Sequence, residues 1–182
     1  MLLASTMHET SEDLDRLQAL LDRSYDGAGH HLRSIISPER RVSADRLARR
    51  LTGMCLLTLA TVTADGRPLA GPVDGIFYRG CFHFGTSPKA VRWRHIQARP
   101  HVSATHLPAE EFAVTVHGRA QPVDIRAADG AGLRETLLEV YVPRYGEEFE
   151  RFLDSGTTGH APAYARIEPD RMFTFLMTDA PA

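Results

Sequence analysis

At the middle of the chain, hydroxyls and cations crowd together: Thr86, Ser87, Lys89, Arg92 and Arg94 lie in the run Gly85-Thr86-Ser87-Pro88-Lys89-Ala90-Val91-Arg92-Trp93-Arg94. Hydroxyl and backbone N–H donors beside an ammonium or guanidinium are what an anion such as phosphate needs. The need is best met where a loop feeds a helix N-terminus, whose dipole adds favourable potential. Taken alone, these residues read as readily as a solvated loop and the start of a surface helix. Lys89 is the only lysine among 21 basic residues, which singles it out.

Other chemistries find less support. None of the nine histidines stands in a His-Glu-x-x-His or comparable spacing, so no metal site is expected. Cys55 and Cys81 sit in apolar runs with no Cys-x-x-Cys pair, and read as buried, reduced thiols. The basic run Arg92-Trp93-Arg94-His95 could suggest nucleic acid. A net charge of -2 and a pI near 6.5 argue instead for a solvated or phosphate-facing helix. No apolar stretch approaches the roughly 20 residues that span a bilayer. Met1-Leu2-Leu3-Ala4-Ser5 lacks a basic start followed by an apolar run of signal-peptide length, and the chain is read as cytoplasmic.

The elements that must position the cluster follow from periodicity. With 43% hydrophobic and 24% charged residues over 182 positions, one domain with a proper core is expected. Thr10 or Ser11 can cap a helix carrying Leu14, Leu17, Leu20 and Leu21, ended by Asp26-Gly27-Ala28-Gly29. Ser43 can cap a second helix over Ala44 to Leu51, closed by Gly53. Residues 1–53 thus read as a helical arm packing on a barrel formed by 54–182.

From Met54 the period shortens. Cys55 to Val62, Leu69 to Tyr78 and Cys81 to Phe84 form a three-strand meander, joined by Ala64-Asp65-Gly66-Arg67-Pro68 and Arg79-Gly80. The Thr86–Arg92 cluster and its short helix follow, stopped by Arg99-Pro100. Further strands are expected at His101–Thr105 and Phe112–His117, the latter continuing toward Val123. A helix is expected over Ala128–Val140 with a continuation at Pro143–Glu150, then strands at Ala163–Ile167 and Met172–Leu176. Strands joined mostly by tight turns predict a mainly β (α+β) antiparallel barrel of about six strands.

The stretch Leu57 to Ser103 carries a more specific likeness. Leu59-Ala60-Thr61-Val62, Asp65-Gly66-Arg67-Pro68 and Gly71-Pro72-Val73 resemble the opening hairpin of the FMN-binding split β-barrel family, the pyridoxamine 5'-phosphate oxidase-like proteins. Phe82-His83-Phe84-Gly85-Thr86-Ser87, Arg92, Arg99-Pro100-His101-Val102-Ser103 and Val116-His117-Gly118-Arg119-Ala120 match its later motifs in order and spacing. The resemblance covers the middle of the chain and leaves the arm and the C-terminal helix pair unexplained.

That resemblance implies a Greek-key split barrel, a homodimer with a flavin at its interface, and FMN as cofactor, with a deazaflavin coenzyme or haem used by relatives. The implied phosphate contacts are Thr86, Ser87, Lys89 and Arg92, the last standing where the family usually has lysine. The implied ring contacts are Pro72, Val73, Asp74 and Gly75, with Gly71 and Gly75 allowing close approach, and Trp93 as a stacking candidate or a core anchor. His106, Phe112 and the C-terminal segment are candidates for the wall supplied by the second subunit. No general acid or base is assigned. The namesake oxidase's C-terminal substrate segment, with Trp and Arg ahead of a Leu-Ser/Ala-Pro ending, has no counterpart in Tyr164 to Leu176. Two classes remain open: an FMN-dependent oxidoreductase acting on a small molecule, and a non-catalytic ligand-binding barrel.

Overall fold

The computed structural model describes residues 7–155 and 161–177. Six antiparallel strands close a barrel in the order β1-β2-β3-β6-β5-β4. They are β1 Met54–Val62, β2 Pro68–Tyr78, β3 Cys81–Thr86, β4 His101–Ala109, β5 Phe112–Val123 and β6 Ala163–Leu176. Closure comes where β4 meets β1, pairing Thr58 with Thr105 and Ala60 with Ser103. The antiparallel barrel of about six strands expected from the strand pattern is therefore the fold that forms.

Alternation builds the barrel interior. Cys55, Leu57 and Leu59 of β1 point inward and are buried, while Leu56 and Thr58 point outward. Val73 and Phe77 of β2 and Phe82 and Phe84 of β3 join the same core. The β2–β3 hairpin turns on Arg79-Gly80, whose φ values of 53° and 76° meet the demand for two left-handed residues in a tight hairpin turn. Both cysteines are free thiols, and burial pushes the Cys55 thiol up to about 12, well clear of reactivity at neutral pH.

Two expectations for the later elements are corrected. The two C-terminal strand runs are one 14-residue strand, β6. Pro169 and Asp170 do not break it because β5 shifts register between His117 and Gly118. A Cβ on Gly118 would sit 2.1 Å from the Glu168 carbonyl oxygen, so only glycine admits this bulge. The helix read as Ala128–Val140 with a separate continuation is a 3-10 turn, Ala128–Gly130, followed by the unbroken helix α5, Ala131–Tyr145. Pro143 is tolerated in its last turn, and Gly146, at φ 76°, separates it from α6, Glu148–Asp154.

The arm consists of α1 Ser11–Asp26, α2 His30–Ile35, a 3-10 turn at Pro38–Arg40 and α3 Ala44–Arg50; α4 is the short helix Val91–Ala98. Thr10 caps α1 in a capping box with Asp13, and Ser43 caps α3. Leu17, Leu20, Leu21 and Tyr25 of α1 and Leu47 of α3 belong to the same buried cluster as the barrel interior. Polar groups buried at this junction are paired: Thr174 N–H donates to the Tyr25 hydroxyl at 2.9 Å, and Met172 N–H to Ser24 Oγ at 3.0 Å. On another side, α5 and α6 lie against the outer face of β2, β3 and β6, where Leu133, Leu137 and Leu153 bury Ile76 and Tyr164.

Candidate functional site

The barrel is split at β2. Pro68 to Ile76 of β2 pair with β1, but β3 covers only Gly75 to Tyr78, so the opposite edge from Pro68 to Asp74 has no strand beside it. Its backbone groups are open to another partner. One is taken by Arg92 of α4, whose Nη1 donates to the Pro72 carbonyl at 2.8 Å. Gly71 makes room for this: a Cβ there would stand 3.2 Å from Arg92 Nη2. Arg92 is thus anchored at one nitrogen and keeps its remaining donors.

Across the split, Thr86 ends β3, paired with Ala163. The sequence pattern places Thr86 with Ser87 on the loop, but Thr86 is held by the strand pairing and Ser87 alone opens the loop. Lys89 N–H donates to Ser87 Oγ at 3.2 Å and Ala90 N–H to the Ser87 carbonyl at 2.9 Å, a side-chain turn that leaves the Ser87 hydroxyl proton free to donate. The first turn of α4 follows at Val91. Pro72, Val73, Asp74, Thr86, Ser87 and Arg92 line one open depression of about 400 Å³. No carboxylate among the described residues is ion-paired with Lys89 or Arg92.

A second cavity of about 410 Å³ opens beside the first and shares Asp74, Gly85, Thr86 and Ser87 with it. It runs between the outer face of β2, β3 and β6 and the helix pair. On the barrel wall the Tyr164 ring lies over Gly85, where a Cβ would come within 3.2 Å of it. On the helix wall Tyr141, Tyr145 and Phe149 pack together, with ring centroids 4.9 to 6.1 Å apart. Lys89 and Asp74 stand exposed at its rim, and Gly75 and His83 belong to its floor.

The titratable groups here are shifted by burial. His83 is 4% exposed, and desolvation pulls its imidazole down to about 4, so it is neutral at physiological pH. Its Nδ1 lies 3.2 Å from the Cys81 carbonyl, which can only accept; the proton is therefore on Nδ1 and Nε2 is an acceptor. Burial, then the charge of Asp74, pushes the Tyr141 and Tyr164 phenols up, so both stay protonated.

Of the residues singled out from the sequence, the two adjoining cavities gather Pro72, Val73, Asp74, Gly75, Thr86, Ser87, Lys89 and Arg92. Val73 contributes its backbone, since its side chain is buried in the barrel. Gly75 is glycine for an inward reason rather than for ligand approach. A Cβ there would meet Leu57 at 2.8 Å and the His83 carbonyl at 3.0 Å. Trp93 lines neither cavity and packs against the barrel core. Phe112 is buried in the core, and His106, half-buried beside it with ring centroids 6.3 Å apart, has Nδ1 2.9 Å from the Leu56 carbonyl. The aromatic cavity was missed. Leu137, Tyr141, Tyr145 and Phe149 recur every four residues, and that spacing was its visible signal.

Residues 44–174 match the family described as pyridoxamine 5'-phosphate oxidase. Pyridoxine/pyridoxamine 5'-phosphate oxidase of Pseudomonas entomophila (strain L48) is 39% identical over 79 residues, which cover 40% of this chain and 35% of that protein; the match spans about a third of that relative's length. Among solved structures, the haem storage protein HutZ from Vibrio cholerae is 21% identical with a TM-score of 0.52, covering 66% of this chain and 84% of that one. A FAD-binding protein from Mesorhizobium loti is 18% identical, also with a TM-score of 0.52, over 74% and 93% of the two chains. These structures share the fold.

Proposed function

The chain belongs to the pyridoxamine 5'-phosphate oxidase family, and on that premise we propose that it binds FMN at the split in its barrel and works as a flavin-dependent oxidoreductase on a small molecule. The observation that carries this reading is the depression itself. One cation, Arg92, two hydroxyls and an unpaired strand edge line the depression, Lys89 stands at the rim of the adjoining cavity, and neither cation is ion-paired with a carboxylate among the described residues. A dianionic phosphate fits this donor set, with Arg92 presenting a fork already oriented by Pro72, and Lys89, Thr86 and Ser87 completing the grip. Backbone groups of Pro72, Val73 and Asp74 on the free edge of β2 suit the pyrimidine edge of the ring. Asp74 would accept from a ring N–H, and its charge would oppose a negative charge gained on the ring.

When bound, the flavin supplies two-electron redox chemistry. The chain's own part is to hold the phosphate, fix the ring against β2 and exclude water beside it. We also read the protein as a homodimer with the cofactor at the seam. Leu56 and Leu107, 56% and 62% exposed on the outer faces of the adjacent strands β1 and β4, support such pairing.

The test is the absorption spectrum of the purified protein and its response to added FMN. A yellow protein that bleaches with dithionite is expected, and Arg92→Ala should weaken FMN by about 2 kcal/mol, with Lys89→Ala doing less. The haem protein among its structural relatives prompts the contrasting outcome, an intense Soret band in place of flavin absorption. A colourless protein that refuses FMN, or equal FMN affinity in the wild type and both variants, would overturn the assignment. Light scattering on the eluting protein reads the dimer.

A further inference from the structure

We propose that the aromatic cavity beneath α5 and α6 seats the second reactant, and that this reactant is a flat, unphosphorylated ring compound carrying a hydrogen-bond donor at one edge. The inference rests on the phosphate-gripping depression described above, because it is adjacency to that depression that makes a ligand in the cavity a reactant.

The shape of the cavity selects a planar guest. Its volume of about 410 Å³ falls in the small-molecule range of about 300–1,000 Å³. One wall carries the Tyr164 ring, close over Gly85; the other holds Tyr145, within 22° of parallel to Tyr141 and 27° of Phe149. Aromatic walls of this kind reward a flat ring, stacked or edge-on, over a globular guest. Tyr145 and Phe152 remain 49% and 44% exposed, apolar surface that packing within the described chain leaves uncovered.

Charge narrows the chemistry further. Among the described residues no arginine lines the cavity, and its one cation, Lys89, stands exposed at the rim. His83 is held neutral. A phosphate or carboxylate carried into this space would lose its water without gaining an ionic partner. What the cavity does offer is an acceptor at its rim, the Asp74 carboxylate, with the neutral imidazole of His83 in its lining. A ring N–H or O–H is the group that answers that carboxylate. The cavity also shares Asp74, Gly85, Thr86 and Ser87 with the depression, so a ring seated here lies beside whatever that depression anchors.

The experiment uses three probes with one ring system: 2-naphthol, 2-naphthoate and 2-naphthyl phosphate. Each is titrated calorimetrically into the full chain, with and without saturating FMN. The expected result is saturable binding of 2-naphthol in both states, with both anions weaker by roughly tenfold or more. Phe149→Ala should weaken 2-naphthol by a similar factor and leave FMN affinity unchanged. Phe152→Ala, at a half-exposed position whose truncation spares the core, should do the same more mildly. Anions binding as tightly as 2-naphthol, no binding of 2-naphthol, or competition between 2-naphthol and FMN would each overturn the inference, the last by making the cavity the cofactor's own seat. Binding of 2-naphthol by a chain that refuses FMN would sink the flavin reading and the reactant's role with it, while leaving the ligand class of the cavity intact.

Discussion

The barrel carries helices on two sides, and the two sides are built to different ends. Where the arm meets the strands, apolar side chains close completely and the polar groups caught among them are paired: Tyr25 and Val42 with Thr174, Ser24 with Met172, Asp13 with Thr10 and Arg16. Where α5 and α6 meet the strands, the same operation stops short. Leu133, Leu137 and Leu153 anchor the helices, but the rings beyond them stand off from β2 and β3 and leave a cavity. One amphipathic pattern thus yields a sealed seam on one side and a ligand-sized gap on the other. The difference lies in side-chain size and placement, not in the type of element.

The largest effect should come from breaking the sealed side. Leu21 of α1 and Leu47 of α3 are fully buried and sit in the core that also fills the barrel. Leu21→Ala or Leu47→Ala should cost about 3–4 kcal/mol, from lost transfer energy and a cavity the surroundings cannot close. Urea unfolding with a constant m-value reads it. A loss below about 1 kcal/mol would mean that the arm is not part of the cooperative core.

Acid should distinguish the two sides in the opposite sense. His83, under the helix pair, has its folded pKa lowered to about 4 against an ordinary 6.5. Between those values the unfolded chain binds a proton that the folded chain refuses, so stability is complete above pH 6.5 and is lost as pH falls toward 4. The full span is on the order of 3 kcal/mol. Asp13, under the arm, behaves differently. Burial raises its pKa, but hydrogen bonds from Thr10 and Arg16 and the charge of Arg79 outweigh this and hold it below 3.8. Its contribution is present above pH 3.8 and fades only below. Urea unfolding at pH 7 and pH 4.5 should show the loss, and His83→Gln should flatten it. An unchanged slope in that variant would assign the acid sensitivity elsewhere.

What the sequence discloses follows the same division. Local chemistry was legible: Thr10 and Ser43 as caps, Arg79-Gly80 as a two-residue turn, Arg99-Pro100 as a helix stop, and the apolar alternation of β1. So was the grouping of Thr86, Ser87, Lys89 and Arg92, since one strand end, one loop and one helix start carry all four. Features that depend on contacts between distant segments were not legible. Pro169 and Asp170 look like a strand break until Gly118, some fifty residues earlier, is seen to give way for them. The free edge of β2 appears only when β3 is seen to leave it at Gly75. The aromatic spacing of α5 and α6 marks a face, but whether that face is sealed or stands open depends on Gly85 and Tyr164 across the gap.

A smaller change tests whether pairing of polar groups, beyond apolar fill, closes the arm. Tyr25→Phe removes only a hydroxyl, yet it strips the buried Thr174 N–H of its 2.9 Å acceptor and its own hydroxyl of a 2.7 Å partner. Leaving that N–H unsatisfied should cost about 2 kcal/mol. The double variant Tyr25→Phe/Thr174→Val should cost less than the sum of the two single changes, because both act on one network. Strict additivity would show that the network contributes nothing beyond its parts.

The smallest effect belongs to the open side. Phe152 is among the larger apolar side chains of the molecule, and by size alone its truncation would rank with the leucines of the arm. It is 44% exposed, however, and α6 is already pinned by Leu153, which is 1% exposed and packs in the buried cluster with Leu133 and Leu137. Burying such a ring fully is worth about 1.5–3 kcal/mol, and half-burial earns correspondingly less. Phe152→Ala should therefore lower stability by about 1 kcal/mol or less while weakening 2-naphthol, whereas Leu21→Ala should do the reverse, unfolding more easily with ligand affinity intact in the folded fraction. If Phe152→Ala destabilised the chain as much as Leu21→Ala, the ring would be part of a closed core in solution, and the contrast between the two helix seams would disappear.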